Sequence, residues 1–385
     1  MMKKKIAVVT ATRAEYGLLT PVIRRITDDQ DLELDLIVTG GHLAEKQGYT
    51  IDAIREDGFL ISHAIPILAE GDGEYEVSVA MSNAIRGFAD CFRSDRPDML
   101  VILGDRTEML GVAAAAMNER IPIVHIHGGE VTEGAVDDCV RHALTKMSYL
   151  HFTVTEPYRK RVIQLGEEPA RVFNVGALGI ENILHTRFLN EDIIKSDVGV
   201  PPDMPYAVVT FHPVTLERSM AEEQAQELCA SMEMNGDYFY LITKANTDAG
   251  GNAVNEVWKK YADRHVHVRL VSSLGTKRYL SALKHAAFVL GNSSSGIMEA
   301  PSLGVPVINV GDRQKGRIMA NAIINCPVER DAVTEAIKKT VSMNRMPSHI
   351  YGDGNTSIKI IRIMKRFLFD GTINLKKGFY DIQNQ

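Results

Sequence analysis

Residues 286–304 read AAFVLGNSSSGIMEAPSLG, and the order of residue types within them decides the fold. The run 286–290 is short and almost wholly apolar, the kind that fills a strand covered on both faces. Gly291 and Asn292 break it, three serines follow, and Gly296 to Glu299 open a helical pattern. Strand, polar turn, helix is the repeating unit of an open parallel sheet, whose ligands sit outside the carboxyl ends of the strands. Hydroxyls and free N–H groups at a helix start attract an anion, aided by the helix dipole. One serine there serves equally well as an N-cap. Three between glycines, with a carboxylate one turn on, point to phosphate. Glu299 suits ribose hydroxyls, because a carboxylate accepts from a diol and repels a phosphate. The stretch matches neither GxxxxGK[ST] nor GxGxxG, so neither a P-loop nor a dinucleotide fingerprint is supported.

The same unit recurs outward along the chain. The first half carries KIAVVTA, LDLIVTG, DMLVILGD, IPIVHIHGG, LHFTVTE and RVFNVGA. The second carries YAVVTFHP, YFYLITKA, VHVRLVSS, AAFVLGNSS and VPVINVG. Apolar strands separated by helix-length spacers predict an α/β fold with parallel sheets and right-handed crossovers. The pattern pauses at 185–205, around SDVGVPPDMP. Two Rossmann-like domains are expected, 1–185 and 186–356, with a final helical stretch in 357–385 packing back on the first.

With 385 residues, 45% hydrophobic and 24% charged, the chain can bury a sizeable core, and its length suits two domains. A net charge of −6 argues against a general nucleic-acid binder. The opening MMKKKIAVVTATRAE reads as a first strand interrupted by Arg13, not as a secretory signal. No apolar run approaches the roughly 20 residues a membrane span needs. Cys91, Cys139, Cys229 and Cys326 are scattered without a CxxC, as expected of reduced thiols in a cytoplasm.

Polar residues crowd the predicted strand ends in both halves. Asp105, Glu130, Glu133, Asp137 and Asp138 can supply an acid and a base, although any one of them can simply cap a helix. His125 and His127, two apart, should share one side of a strand; HxH alone is weak evidence for a metal, and a core histidine is commoner. His212 stands at a strand end before Pro213. Arg13 follows the first strand, and GDRQKGR offers Arg313, Lys315 and Arg317 as guanidinium and ammonium partners for a diphosphate or as solvated charges. A cleft between two domains receiving a phosphorylated ligand is the economical expectation.

At these residues the chain resembles the UDP-N-acetylglucosamine 2-epimerases, in particular the hydrolysing branch of bacterial sialic-acid and legionaminic-acid synthesis. The likeness runs through TATRAEYGLL, LIVTGGHL, LGDR, HIHGGE, RHALTKMSYLHF, YRKRVIQLGE, FHPVT, GNSSSGIMEAPSLG and INVGDRQKGR. It implies a GT-B-like pair of Rossmann-like domains with UDP held mainly by the second. By resemblance, Arg13, His212, Asn246, Ser293, Ser294, Ser295, Glu299 and Arg313 contact the nucleotide. Asp105, Glu130, Asp137, His127 and His212 are the catalytic candidates, and Arg106 and His42 the sugar contacts. Related members carry a catalytic Glu where this chain has His127, so that role passes to Glu130 or His127 itself. The implied route eliminates UDP to a glycal and then hydrates it, needing no metal and no nicotinamide cofactor. A UDP-sugar is the expected partner, with no nucleic acid or membrane, and the chain is expected to form a homo-oligomer. Non-hydrolysing epimerization and GT-B glycosyl transfer are the rival readings.

Overall fold

The computed structural model describes residues 3–45, 49–70, 73–131, 136–213, 220–245, 251–271, 274–371 and 373–382. The chain divides into two compact units. The first joins Met1–Asn182 to Gly352–Gln385, and the second is the continuous stretch Ile183–Tyr351.

In the first unit seven parallel strands form one sheet: β1 (Lys4–Thr10), β2 (Leu32–Thr39), β3 (His63–Ile65), β4 (Met99–Leu103), β5 (Ile123–Ile126), β6 (Leu150–Thr153) and β7 (Val172–Asn174). Their order is β3-β2-β1-β4-β5-β6-β7. The chain reverses its direction of growth between β1 and β4, the switch point where open sheets bind ligands. Apolar side chains leave the strands in both directions. One core gathers Ile6, Val8, Leu36 and Val38, and another, under the Glu74–Ser94 helix, gathers Ala7, Val9, Ile37 and Phe88.

The second unit repeats the plan with β8 (Tyr206–Thr210), β9 (Phe239–Thr243), β10 (Val268–Val271), β11 (Phe288–Gly291), β12 (Val307–Val310) and β13 (Ile323–Cys326). Its order is β10-β9-β8-β11-β12-β13, again all parallel, with the switch between β8 and β11. Both sheets are therefore Rossmann-like. β3 and β13, which no apolar run announces, are short half-exposed edge strands.

The helix Thr356–Lys365 belongs to the first unit. Ile360, Ile361 and Met364 join its core, and Arg25 Nε donates to Ser357 Oγ at 2.7 Å. The tail beyond it is also tied down. Lys377 Nζ donates to the carbonyls of Lys146 and Ser148, each at 2.8 Å, and pairs with the buried Glu167 at 2.6 Å. Among the described residues no helix is long and apolar enough to cross a membrane.

Candidate active site

Beside the switch point of the first sheet lies a cavity of about 180 Å³. Its walls include Glu15, Asp105, Arg106, His127, Glu130 and Arg141. Arg141 organises it. Only 3% exposed, it directs Nη2 at Asp105 Oδ2 and Nη1 at both Asp138 Oδ1 (2.7 Å) and the Glu130 carbonyl (2.9 Å). One guanidinium thus fixes the loop after β4, the loop after β5 and the first turn of the Val136–Met147 helix.

Two residues of the cavity wall carry titratable groups shifted by burial. β5 stops at Ile126, and His127 takes a left-handed backbone with φ 67°, its N–H bonding the Phe152 carbonyl at 2.9 Å. A β-strand register with His125 therefore does not hold. His125 points into the core, where its ring meets Gly104 O at 2.7 Å and Thr145 Oγ1 at 3.2 Å, and burial lowers its pKa to about 3. His127 turns to the cavity instead, with Nδ1 3.6 Å from Glu130 Oε1 and Nε2 buried without a hydrogen-bond partner among the described residues. Burial, opposed by Glu130 and Asp105, lowers its pKa and favours a neutral ring able to accept a proton.

Glu15 is the second. Thr12 caps the Arg13–Asp28 helix, and the Glu15 carboxylate reaches back to Ala11 N at 3.2 Å and Thr12 Oγ1 at 3.1 Å. This is a capping-box spacing turned toward the cavity. Burial pushes the Glu15 pKa up to about 7, with Arg106 at 3.9 Å opposing and Glu108 reinforcing the rise. A carboxyl group that exchanges its proton near neutrality suits acid–base work.

In the second unit, the carboxyl end of β11 meets the turn read from the sequence. Gly291 has φ 137°, and a Cβ there would overlap the Thr210 carbonyl, so the close approach of β11 to β8 requires glycine. Asn292, 1% exposed, clamps the backbone of His212: His212 N donates to Asn292 Oδ1 at 2.7 Å and Asn292 Nδ2 returns to His212 O at 2.8 Å. The Asn292 carbonyl accepts from Arg313 Nη1 at 3.0 Å and Gln314 Nε2 at 2.8 Å. His212, Arg313 and the serine loop are therefore gathered at one sheet edge. Ser293 caps the Ser294–Ser302 helix by accepting from Ser295 N, and Ser294 is exposed at its start. Tyr279 OH donates to Ser295 Oγ at 3.0 Å, which donates to Glu299 Oε2 at 2.6 Å. Burial raises the pKa of Glu299, opposed by the Ser295 hydrogen bond. The result is a helix start of the kind whose N–H groups and dipole favour an anion, beside a carboxylate able to accept from hydroxyls.

Other expected residues stand apart. Arg13 opens its helix exposed, a cation at the end where a helix favours anions. Arg106, by contrast, lines the cavity although it is exposed, and it donates to Glu108 at 2.6 Å. Asp137 is exposed in the first turn of its helix and is not part of the cavity wall. His42 is fully buried with both ring nitrogens engaged, by Thr10 at 3.0 Å and Thr50 at 2.8 Å, and burial lowers its pKa to about 4. It offers a ligand no free nitrogen. Asn246 and Glu133 lie outside the described residues. Glu15, Arg141 and Tyr279 were not singled out by the sequence reading, though the Thr12–Glu15 spacing carried a visible signal.

Comparison with known proteins bears on both edges. The family model for UDP-N-acetylglucosamine 2-epimerase matches residues 24–365. A Campylobacter jejuni protein named GDP/UDP-N,N'-diacetylbacillosamine 2-epimerase (hydrolyzing) is 42% identical over 85% of each chain. Legionella pneumophila UDP-N,N'-diacetylbacillosamine 2-epimerase (hydrolyzing) is 36% identical over 94% of this chain and 96% of its own. Among solved structures, the UDP-GlcNAc 2-epimerase from Neisseria meningitidis bound to UDP-GlcNAc superposes with a TM-score of 0.79. That match is 16% identical and covers 94% of this chain and 100% of the other, which establishes the shared GT-B-like fold of two Rossmann-like units. With the family pattern spanning nearly the whole chain and both sheets built to the same plan, the protein belongs to the UDP-N-acetylglucosamine 2-epimerase family.

Proposed function

We propose that this chain is a hydrolysing UDP-sugar 2-epimerase, releasing UDP from a 2-acetamido sugar and freeing that sugar as its 2-epimer. The carrying observation is the first-unit cavity, where Asp105, Glu130, Glu15 and His127 surround a space organised by Arg141. The two relatives named as hydrolyzing enzymes, at 42% and 36% identity, favour release of UDP over return of a UDP-sugar.

In the proposed route the C1–O bond to UDP and the C2–H bond break, and a C1=C2 glycal forms. Water then adds its hydroxyl at C1 and a proton at C2 of the opposite face. Because the C2 hydrogen is weakly acidic, departure of UDP runs ahead and leaves positive charge at C1. The serine helix start, His212 and Arg313 receive the diphosphate, while Tyr279, Ser295 and Glu299 form the hydroxyl-accepting neighbour for ribose. Asp105 and Glu130 stabilise the cationic sugar, and His127, Glu130 and Glu15 are the groups for proton transfer. Asp137, Arg13 and Arg106 complete the reading from resemblance. The relatives' names favour a 2,4-diacetamido-2,4,6-trideoxy sugar over N-acetylglucosamine. Homo-oligomeric assembly in the cytoplasm belongs to the same reading.

NMR of the products from each UDP-sugar, run in D₂O and in H₂¹⁸O, tests it. Free 2-epimer carrying deuterium at C2 and ¹⁸O at C1 is expected. Retention of the original C2 hydrogen, or product still attached to UDP, overturns the proposal. Parallel GDP-sugars settle which base is accepted.

A further inference from the structure

At the opposite, amino-terminal edge of the first sheet lies a cluster the reaction does not use. Asp35 on β2 points to the same side as Ile37, beneath the end of the Glu74–Ser94 helix, and is only 2% exposed. Neither of its carboxylate oxygens accepts a hydrogen bond of normal geometry. Burial pushes its pKa up although His63, the Ser62 side chain and Lys5 favour the charged form. A buried carboxylate so weakly satisfied is costly. His63 Nε2 lies 3.7 Å from Asp35 Oδ1, and that nitrogen is 3.1 Å from Asp95 Oδ2.

We propose that Asp35, His63 and Asp95 bind one divalent transition-metal ion of the zinc class. One donor atom from each lies within 4.8 Å of the others. Tetrahedral coordination with bonds of about 2.0–2.2 Å places neighbouring donors roughly 3.3–3.6 Å apart, bracketed by the two distances just given. Imidazole nitrogen with carboxylate oxygens is a zinc-type donor set. The helix adds to it: Asp95 follows the last turn of Glu74–Ser94, whose carbonyl end favours a cation. Lys5 occupies the other oxygen of Asp95 and holds that carboxyl below its ordinary pKa, leaving Oδ2 for the ion. The remaining facing groups are Glu33, 4.0 Å from Lys5, and Cys91, whose thiol burial and the two aspartates keep protonated at a pKa of about 11. His63 and Asp95 are 29% and 36% exposed, so an ion has a path in and water can take the fourth position.

Titration of chelator-treated full-length chain with Zn²⁺ by calorimetry, and with Co²⁺ by visible absorption, tests this. One equivalent should bind, with the intense cobalt band of a four-coordinate site. His63→Gln, at a partly exposed position, and Asp35→Asn, which keeps the shape, should each weaken binding roughly 10-fold or more, since even outer-shell changes cost 10–100-fold. Absence of stoichiometric binding to the unsubstituted chain overturns the assignment. So does binding that survives either substitution undiminished.

Discussion

Replacing Glu15 by Gln should make the protein more stable at pH 8 and leave it nearly unchanged near pH 4.5. Glu15 is 8% exposed, and burial raises its pKa from 4.5 to about 7 in the folded chain. A raised value means the folded state holds the proton more tightly than the unfolded one. The associated stability is fully present below 4.5 and is lost as pH climbs through about 7. Each pH unit is worth about 1.4 kcal/mol, so the loss approaches about 3 kcal/mol at pH 8. Gln never charges. Its amide oxygen can still accept from Ala11 N and Thr12 Oγ1, so the helix cap survives. Calorimetric melting of wild type and variant across pH 4.5–8 should show the variant gaining with pH. For a domain of this size the upper limit is about 6–12 °C. A melting difference that does not change with pH, or that moves against the variant, refutes the claim that a buried titrating carboxyl sits at this helix start.

Two further substitutions test the two sheet edges separately. Asp105→Asn removes the charge opposite Arg141 and keeps the shape; kcat should fall at least ~100-fold with UDP affinity near wild type, whereas near-normal turnover would reduce Asp105 to a structural partner of Arg141. Arg313→Ala should weaken UDP binding by about 1.5–3 kcal/mol in calorimetry, the scale of a charged hydrogen bond, and an unchanged affinity removes Arg313 from the nucleotide site.

How much of this was legible depended on where the residues sit. Central strands such as β1, β8 and β11 are apolar on both faces, so composition alone marks them. β3 and β13 lie at sheet edges and carry half-exposed residues, and their sequences HAI and IINC give no comparable run. The same limit applies to the site. Residues directly after strands, such as Asp105 and Ser293, are visible because a polar group interrupts an apolar pattern. Arg141 and Tyr279 come from helices, where a charged or hydroxylated side chain ordinarily faces water; only packing shows that Arg141 is 3% exposed and aimed at Asp105. His127 misled in the other direction, because a two-residue spacing implies a shared face only while the backbone stays extended, and at φ 67° it does not.

The first unit is assembled from both ends of the chain, whereas the second is one uninterrupted stretch. On the ribosome this inverts the usual order of maturation. The Ile183–Tyr351 stretch has every strand of its sheet available before the Thr356–Lys365 helix has emerged. The earlier-made first sheet must wait, with Ile23 and Ile26 lacking the cover of Ile360 and Met364, and with Glu167 lacking Lys377. That interval, during which an almost finished half exposes an apolar strip and a buried acid short of one partner, is when a chaperone has most to hold and a protease most to cut.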